Sequence, residues 1–318
     1  MTVKTWDYNQ LSIAVFGDYC LDEYLWVDAA LNEPSLETGL VAYQCTKREA
    51  YPGAAGTIAK NLANLGIGNV YAAGYVGDDG KGLELCRGLD SLGINRDCLV
   101  IAKDRLTPTY TKPWITENGQ TQEMSRIDTK NWMPTPTELE HTVLAKLMGL
   151  IGKIDALIIM DQMTEENCGV ITDRVRAFLK DIACENPKLL IYADSRCRIE
   201  RFERVMIKGN AFEIPPDHCE ALRKRNGKPV ICTLGENGLK VYNDGPLIEI
   251  PGISLKGQID VCGAGDMFTA SFVAALSAGA SLKVAAQTGN IAAALCVKQL
   301  GTSGHVTPRD IEEFASKL

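Results

Sequence analysis

The sequence predicts an α/β protein of three layers, a mostly parallel central sheet between two layers of helices, with a small β-sheet lid. Three observations point there. The runs "LSIAVFGD", "NVYAAGYVG", "DALIIMDQ", "LLIYADS" and "PVICTLG" are short and apolar, as in parallel strands buried on both faces. Helical stretches stand between them, which makes repeating βα units and a sheet covered on both sides. Two strand-like segments, residues 23–51 and 108–127, break that rhythm.

In chain order, "LSIAVFGD" reads as a first buried strand ending at Gly17-Asp18. "GTIAKNLANLG" is an amphipathic helix stopped by Gly66, and "DGKGLELCRGLDSLG" a helix ending at Gly93. "TPTELEHTVLAKLMGLIG" and "TEENCGVITDRVRAFLKDIACEN" are further helical segments. "CTLGENGLKVYNDGPLIEI" reads as three strands turned at Asn237-Gly238 and Asp244-Gly245. "ASLKVAAQTGNIAAALCVKQLG" is a long helix, capped by Ser281, stopped by Gly301 and apolar enough to be buried. Residues 23–51 and 108–127 form a small antiparallel flap, the second carrying Asn118-Gly119 between alternating runs, a hairpin signal. Such a flap exposes strand edges, so it covers a ligand, pairs with a second copy, or both. No repeat or linker divides residues 1–318, which suit one large α/β domain with an insertion.

Composition excludes several classes. Hydrophobic residues make up 46% and charged residues 23%, enough to bury a full core. The net charge is -7 with no long basic run, which disfavours a nucleic-acid partner. No apolar run reaches the length of a membrane span, and "MTVKTWDYNQ" is no signal peptide, so no membrane partner and a cytoplasmic location are expected. Eleven cysteines without a C-x-x-C pair and three scattered histidines speak for free thiols and against zinc.

The chemistry concentrates at "IDVCGAGDMF". Small residues Gly263, Ala264 and Gly265 precede Asp266 and a helix-prone run. A helix start offers unpaired N–H groups and partial positive charge, an anion hole for a transferring phosphoryl group. Asp266 beside it is either a base for an attacking hydroxyl or a plain helix cap. Four weaker signals accompany it. "YPGAAGTIAKNLANLG" is a second small-residue turn into a helix. Asn210-Ala-Phe-Glu213 is a polar pair at helical spacing after a strand, able to order a magnesium hydration shell or simply to start a surface helix. Gly235-Glu-Asn-Gly238 either lines a nucleotide or turns a hairpin, and Asn290 is polar on an apolar helix. No G-x-x-x-x-G-K-[ST] occurs, so this is not a P-loop enzyme.

In combination these motifs resemble the ribokinase-like (PfkB) carbohydrate kinases over nearly the whole chain: the C-terminal "IDVCGAGDMF", the N-terminal "PGAAGTIAKNLANLG…GYVGDDGKG", "NAFE" and "TLGENG". Within them, "FGDYCLDEYLW", "MSRIDTK", "ADSRCRIERFERVMIKGNAFE" and "KQLGTSGHVTP" look most like the D-glycero-D-manno-heptose-7-phosphate kinase domain of ADP-heptose synthesis enzymes. Bifunctional members add a nucleotidyltransferase; residues 1–318 are expected to hold the kinase part alone.

The resemblance implies a ribokinase-like fold and ATP- and Mg²⁺-dependent phosphoryl transfer to a sugar or sugar phosphate. Asp266 is then the base, and Gly263, Ala264 and Gly265 the anion hole. Asn210 and Glu213 order Mg²⁺ through water, Gly235 and Gly238 meet the nucleotide, and Asn290 lies near the adenine. Asp22, Gly53 and Thr57 hold the sugar; Arg126 anchors an anionic group or is a solvated lid charge. Asp260 lies where the family often holds a monovalent cation such as K⁺. A homodimer through the lid strands is expected. Departures lie on the acceptor side. Gly53-Ala54 replaces the usual Gly-Gly, Thr57 an Asn, Arg196 a Lys and Cys262 a Thr, and "MDQMTEEN" lacks a Lys. Simple hexose, pentose or nucleoside acceptors, and a sensor without turnover, stay open beside heptose 7-phosphate.

Overall fold

The computed structural model describes residues 6–299 and 304–318. The chain opens with β1 (Ser12–Asp28), followed by the two-residue strands β2 (Glu33–Pro34) and β3 (Val41–Ala42), then β4 (Cys45–Ala54). Next come α1 (Ala55–Asn64), β5 (Asn69–Gly77), α2 (Gly80–Ser91) and β6 (Asn95–Ala102). Three strands then interrupt the βα alternation: β7 (Thr109–Glu117), β8 (Gln120–Glu123) and β9 (Ile127–Thr129). It resumes with α3 (Thr137–Met148), β10 (Ala156–Asp161), α4 (Asp173–Glu185), β11 (Leu190–Ser195), β12 (Met206–Asn210) and α5 (Cys219–Asn226). The hairpins β13 (Val230–Thr233), β14 (Leu239–Tyr242) and β15 (Ile248–Ile250) lead into α6 (Ala264–Ser277), α7 (Leu282–Cys296) and α8 (Pro308–Ala315).

The central sheet runs β15-β14-β13-β12-β11-β10-β1-β5-β6. From β6 to β13 every pair is parallel; the β13–β14 and β14–β15 pairs at one edge are antiparallel. Side chains alternate between two cores with the strand period of two. Ile158 and Met160 of β10 pack with α1, α2, α6, α7 and α8, whereas Leu157 and Ile159 pack with α3, α4 and α5. Ile158 and Ile159 are fully buried, each contributing roughly 1.5–3 kcal/mol of hydrophobic stabilisation. The helices start where short polar side chains meet free N–H groups. Asp79 accepts from Gly82 N, Thr172 from Val175 N and Ser281 from Val284 N. In α7 only Lys283 is exposed; the stop expected at Gly301 lies outside the described residues.

The first strand does not end at Gly17-Asp18. It bends there and runs on to Asp28, pairing with β4 antiparallel and with β7 parallel. At the bend, a Cβ on Gly17 would stand 2.0 Å from the Met160 carbonyl, so only glycine lets β1 and β10 pass there. The lid is therefore an extension of the central sheet, antiparallel except for the β1–β7 pair, and it reaches Ala54 and Thr129 beyond the expected bounds. Its hairpin turns at Asn118 (φ 51°) and Gly119 (φ 79°), as the Asn-Gly pair predicts. The helix expected over "TEENCGVITDRVRAFLKDIACEN" begins only at Asp173. Buried side chains hold the preceding loop instead: the Asp18 carboxylate accepts N–H from Gln162, Met163 and Val170, and the Arg198 guanidinium donates to Thr164 O.

Candidate active site

One cleft of about 1080 Å³ opens at the C-terminal ends of the parallel strands, between the lid and the start of α6, where parallel sheets commonly hold ligands. At its floor, α6 starts without a side-chain cap. Gly263 is the N-cap, in the left-handed conformation (φ 75°) that glycine adopts without strain. Asp266 therefore lies in the first turn rather than at the cap, and it lines the cleft together with Gly263, Ala264 and Gly265. The Ala264 N–H turns back to Val261 O at 3.3 Å. Burial and then the negative charge of Asp194 push the Asp266 carboxyl up to about 7, against the pull of Lys208 and Arg196. A carboxylate poised near neutrality is suited to accepting a hydroxyl proton.

Asn210 and Glu213 form a turn after β12, not the start of a helix. The Asn210 side chain accepts from Phe212 N at 2.8 Å and Glu213 N at 3.1 Å, while Glu213 Oε2 accepts from Asn210 N at 2.9 Å. This reciprocal lock fixes both side chains on the cleft wall. Burial and Asp194 raise the Glu213 pKa. Gly235, Gly238 and Asn290 line the far end, where Asn290 Nδ2 donates to Pro251 O at 3.0 Å.

At the lid end, Asp22, Thr57 and Arg126 line the cleft. Gly53 does not line it but underlies Asp22: a Cβ there would come within 2.5 Å of Asp22 Oδ2. The Thr57 hydroxyl is turned to Pro52 O at 3.3 Å. Arg126 lies over the Tyr110 ring and pairs with Asp128 at 2.7 Å while lining the cleft. Asp260 does not line the cleft; its carboxylate accepts from Cys262 N at 2.9 Å. Ala54 takes φ 51° and ψ -116°, a conformation that disfavours any side chain, where the resemblance leads one to expect glycine.

Several cleft residues escaped the sequence reading. Lys112 donates to Asp22 at 3.1 Å and to the Tyr24 hydroxyl at 3.2 Å. Burial acts to lower its pKa, and Asp22 and the Tyr24 hydroxyl together more than offset this. Lys130 pairs with Glu165 at 3.0 Å; Arg196, which the sequence marks only as replacing a Lys, donates to Gln162 Oε1 at 3.2 Å. Lys208 and Asp194 form a buried ion pair at 2.5 Å. Burial acts to lower the Lys208 pKa, but Asp194, then Glu213 and Asp266, hold it above the ordinary lysine value, so the side chain is charged. A lysine inside the apolar run "VMIKGN" is the signal that marks it.

The model of the pfkB family of carbohydrate kinases matches residues 12–174 and 205–308. Curated relatives include the bifunctional protein HldE of Wolinella succinogenes, 29% identical over 95% of this chain and 64% of its own length. That of Bradyrhizobium diazoefficiens is 27% identical over 92% and 60%. The chain thus spans less than two thirds of the relatives it matches. Among solved structures, phosphofructokinase-2 from Escherichia coli in complex with potassium has a TM-score of 0.74 at 18% identity, covering 96% of this chain and 98% of that one. Ribokinase of Arabidopsis thaliana complexed with ribose and ATP has a TM-score of 0.67 at 17% identity, with coverage of 96% and 98%. The fold is ribokinase-like, and the chain belongs to the pfkB family of carbohydrate kinases.

Proposed function

We propose that this chain transfers the γ-phosphoryl group of ATP to a hydroxyl of a sugar phosphate of the heptose-7-phosphate class. Asp266 is the base and the first turn of α6 the anion hole. The observation that carries it is an Asp266 carboxyl held near neutrality at an uncapped helix start inside the cleft. Asp22 and Thr57 hold the acceptor, with Gly53 leaving room behind Asp22. Gly235, Gly238 and Asn290 flank the nucleotide. Lys112, Arg126, Lys130 and Arg196 gather at the acceptor end, which suits an anionic sugar.

Asn210 and Glu213 suit magnesium held through water: hard oxygen donors, fixed by their mutual hydrogen bonds, on the cleft wall. The metal would neutralise phosphate charge there. A monovalent cation beside Asp260 belongs to the same proposal and is checked by comparing K⁺ with Na⁺ salts. A cytoplasmic location and a homodimer through the lid complete it. Exposed Leu36, Leu40, Val41 and Tyr43 on the lid support the dimer, and sedimentation tests it. No helix among the described residues is long and apolar enough to cross a membrane.

A second reading, an unphosphorylated hexose or pentose, is favoured by one observation: Lys112, Arg126 and Lys130 already face Asp22, Asp128 and Glu165. ADP release with MgATP across sugars, sugar phosphates and nucleosides decides between them, with Asp266→Asn as blank. One acceptor well above the blank names the class. None above it, despite ATP binding, overturns the kinase in favour of a sensor.

A further inference from the structure

The face of the lid turned away from the cleft carries a charged cluster. Along β1, Asp22 points into the cleft and Glu23, one residue on, points to the opposite face, as strand alternation requires. The Glu23 side chain is only 7% exposed. One of its oxygens accepts from Arg48 Nε of β4 at 2.6 Å and from the Lys81 ammonium of α2. The other accepts from the Thr111 hydroxyl of β7 at 2.7 Å. Arg48 turns its remaining nitrogens to both oxygens of Glu84, again on α2, at 2.8 and 2.5 Å. Burial acts to raise the Glu23 pKa, but Lys81, Thr111 and Arg48 bring it down to about 2, so the carboxylate stays charged. Two contacts stay inside the lid, Arg48–Glu23 and Thr111–Glu23. The other two, Lys81–Glu23 and Arg48–Glu84, cross to α2.

A second support lies nearer the base of the lid. Pro52 of β4 enters between α1 and α2: a Cβ on Gly56 would stand 2.6 Å from Pro52 Cβ, and one on Gly88 would stand 2.9 Å from Pro52 Cγ. Glycine weakens a helix interior, and here it admits the proline ring. The lid thus rests on α2 at two places, an apolar wedge at Pro52 and the ion cluster at Glu23. A single support would let the strands rock, whereas two fix an angle. The strands carry that angle to the cleft. Asp22 and Glu23 are neighbours on β1, and Lys112 and Thr111 are neighbours on β7. The Asp22–Lys112 pair on one face and the Glu23–Thr111 pair on the other therefore move as one unit.

Resting on the kinase reading of this cleft, we infer that Glu23 is a positioning residue for the acceptor: latched to Lys81 and, through Arg48, to Glu84, it sets the tilt of the lid against α2 and with it the place of Asp22 in the cleft.

The rival is a cluster that only adds stability to the whole fold. The double variant Lys81→Met/Glu84→Gln separates the two. It removes one charge of each sign from α2, outside the cleft, and leaves Glu23 paired with Arg48 and Thr111 inside the lid. Thermal melting first establishes that the variant is folded. Hydrogen exchange of the unliganded protein, and initial rates with MgATP and D-glycero-D-manno-heptose 7-phosphate, are then compared with the wild type. Positioning predicts that amides of β4 and β7 exchange on the order of 10-fold faster while those of β5 and β10 do not change. It also predicts that the KM for the heptose phosphate rises about 10-fold while the KM for ATP holds. Unchanged exchange in the lid, or acceleration spread equally over β5 and β10, overturns the inference. So does an unchanged heptose phosphate KM beside a loosened lid. A wild type that does not phosphorylate this probe sinks the acceptor reading instead, and the exchange comparison then decides the latch by itself.

Discussion

Asp22 and Lys112 meet at 3.1 Å across two lid strands that run parallel, with the Tyr24 hydroxyl completing the contact. The pair stands at the lid end of the cleft, and Gly53 leaves no atom behind it. Asp22→Asn should raise the acceptor KM by at least about 10-fold through loss of a charge-assisted bond. The ATP KM should stay unchanged. Initial rates at varied acceptor and fixed ATP check this, and equal effects on both KM values would remove Asp22 from the acceptor site.

As the proposed base, Asp266 should govern the pH profile. Its carboxyl, raised to about 7 by burial and Asp194, must be ionised to act as a base. kcat/KM should therefore rise with pH and level off above neutrality. Asp266→Asn should lower kcat by about 10²-fold or more.

The same shift fixes the sign of a stability effect. A carboxyl whose folded pKa lies above its unfolded value keeps its proton longer in the native state. The ionised form thus weakens folding, fully so above pH 7 and not at all below about pH 4. Asp266→Asn should melt above the wild type at pH 8, with the gap closing toward pH 4. A variant that melts far below the wild type at both pH values would mean that Asp266 serves the helix start instead.

Ala54 sits at φ 51° in front of α1. Ala54→Gly should relieve about 1 kcal/mol of backbone strain. A raised denaturant midpoint at unchanged m-value checks it, and an unchanged or lowered midpoint refutes the strain.

Asp18 holds the loop after β10 through three backbone N–H groups, at 2.7 to 3.0 Å. Asp18→Ala leaves all three without this partner, those of Met163 and Val170 buried, which should cost at least about 3 kcal/mol. Hydrogen exchange at Gln162, Met163 and Val170 should accelerate more than exchange in β10 itself. Equal acceleration throughout would point to global unfolding alone.

Much of the fold was legible because parallel strands buried on both faces leave compact apolar runs. "NVYAAGYVG" coincides with β5 from end to end. The length of β1 was not legible: Gly17-Asp18 reads as a strand end, and the continuity of the strand across it into the strand-like stretch from residue 23 comes from pairing with β4 and β7, distant in sequence. The site divides in the same way. Gly263–Asp266 announces itself by local spacing, whereas Lys112 and Lys130 are meaningful only through carboxylates that the fold brings to them. The backbone of Asn210–Glu213 also eluded the pattern, since a side-chain lock replaced the expected helical turn.

Strand β1 serves both sheets without a break: residues before Gly17 pair with β5 and β10, and those beyond Asp18 pair with β4 and β7. The lid is thus a cantilever, clamped in the core and loaded at its tip, rather than a door on a loop. A side chain in a strand changes face with each one-residue shift. Adding a single residue between Asp18 and Asp22 would turn the Asp22 carboxylate out of the cleft while leaving β5 and β10 undisturbed. Substitutions can retune this end of the molecule, but its length is set to the residue.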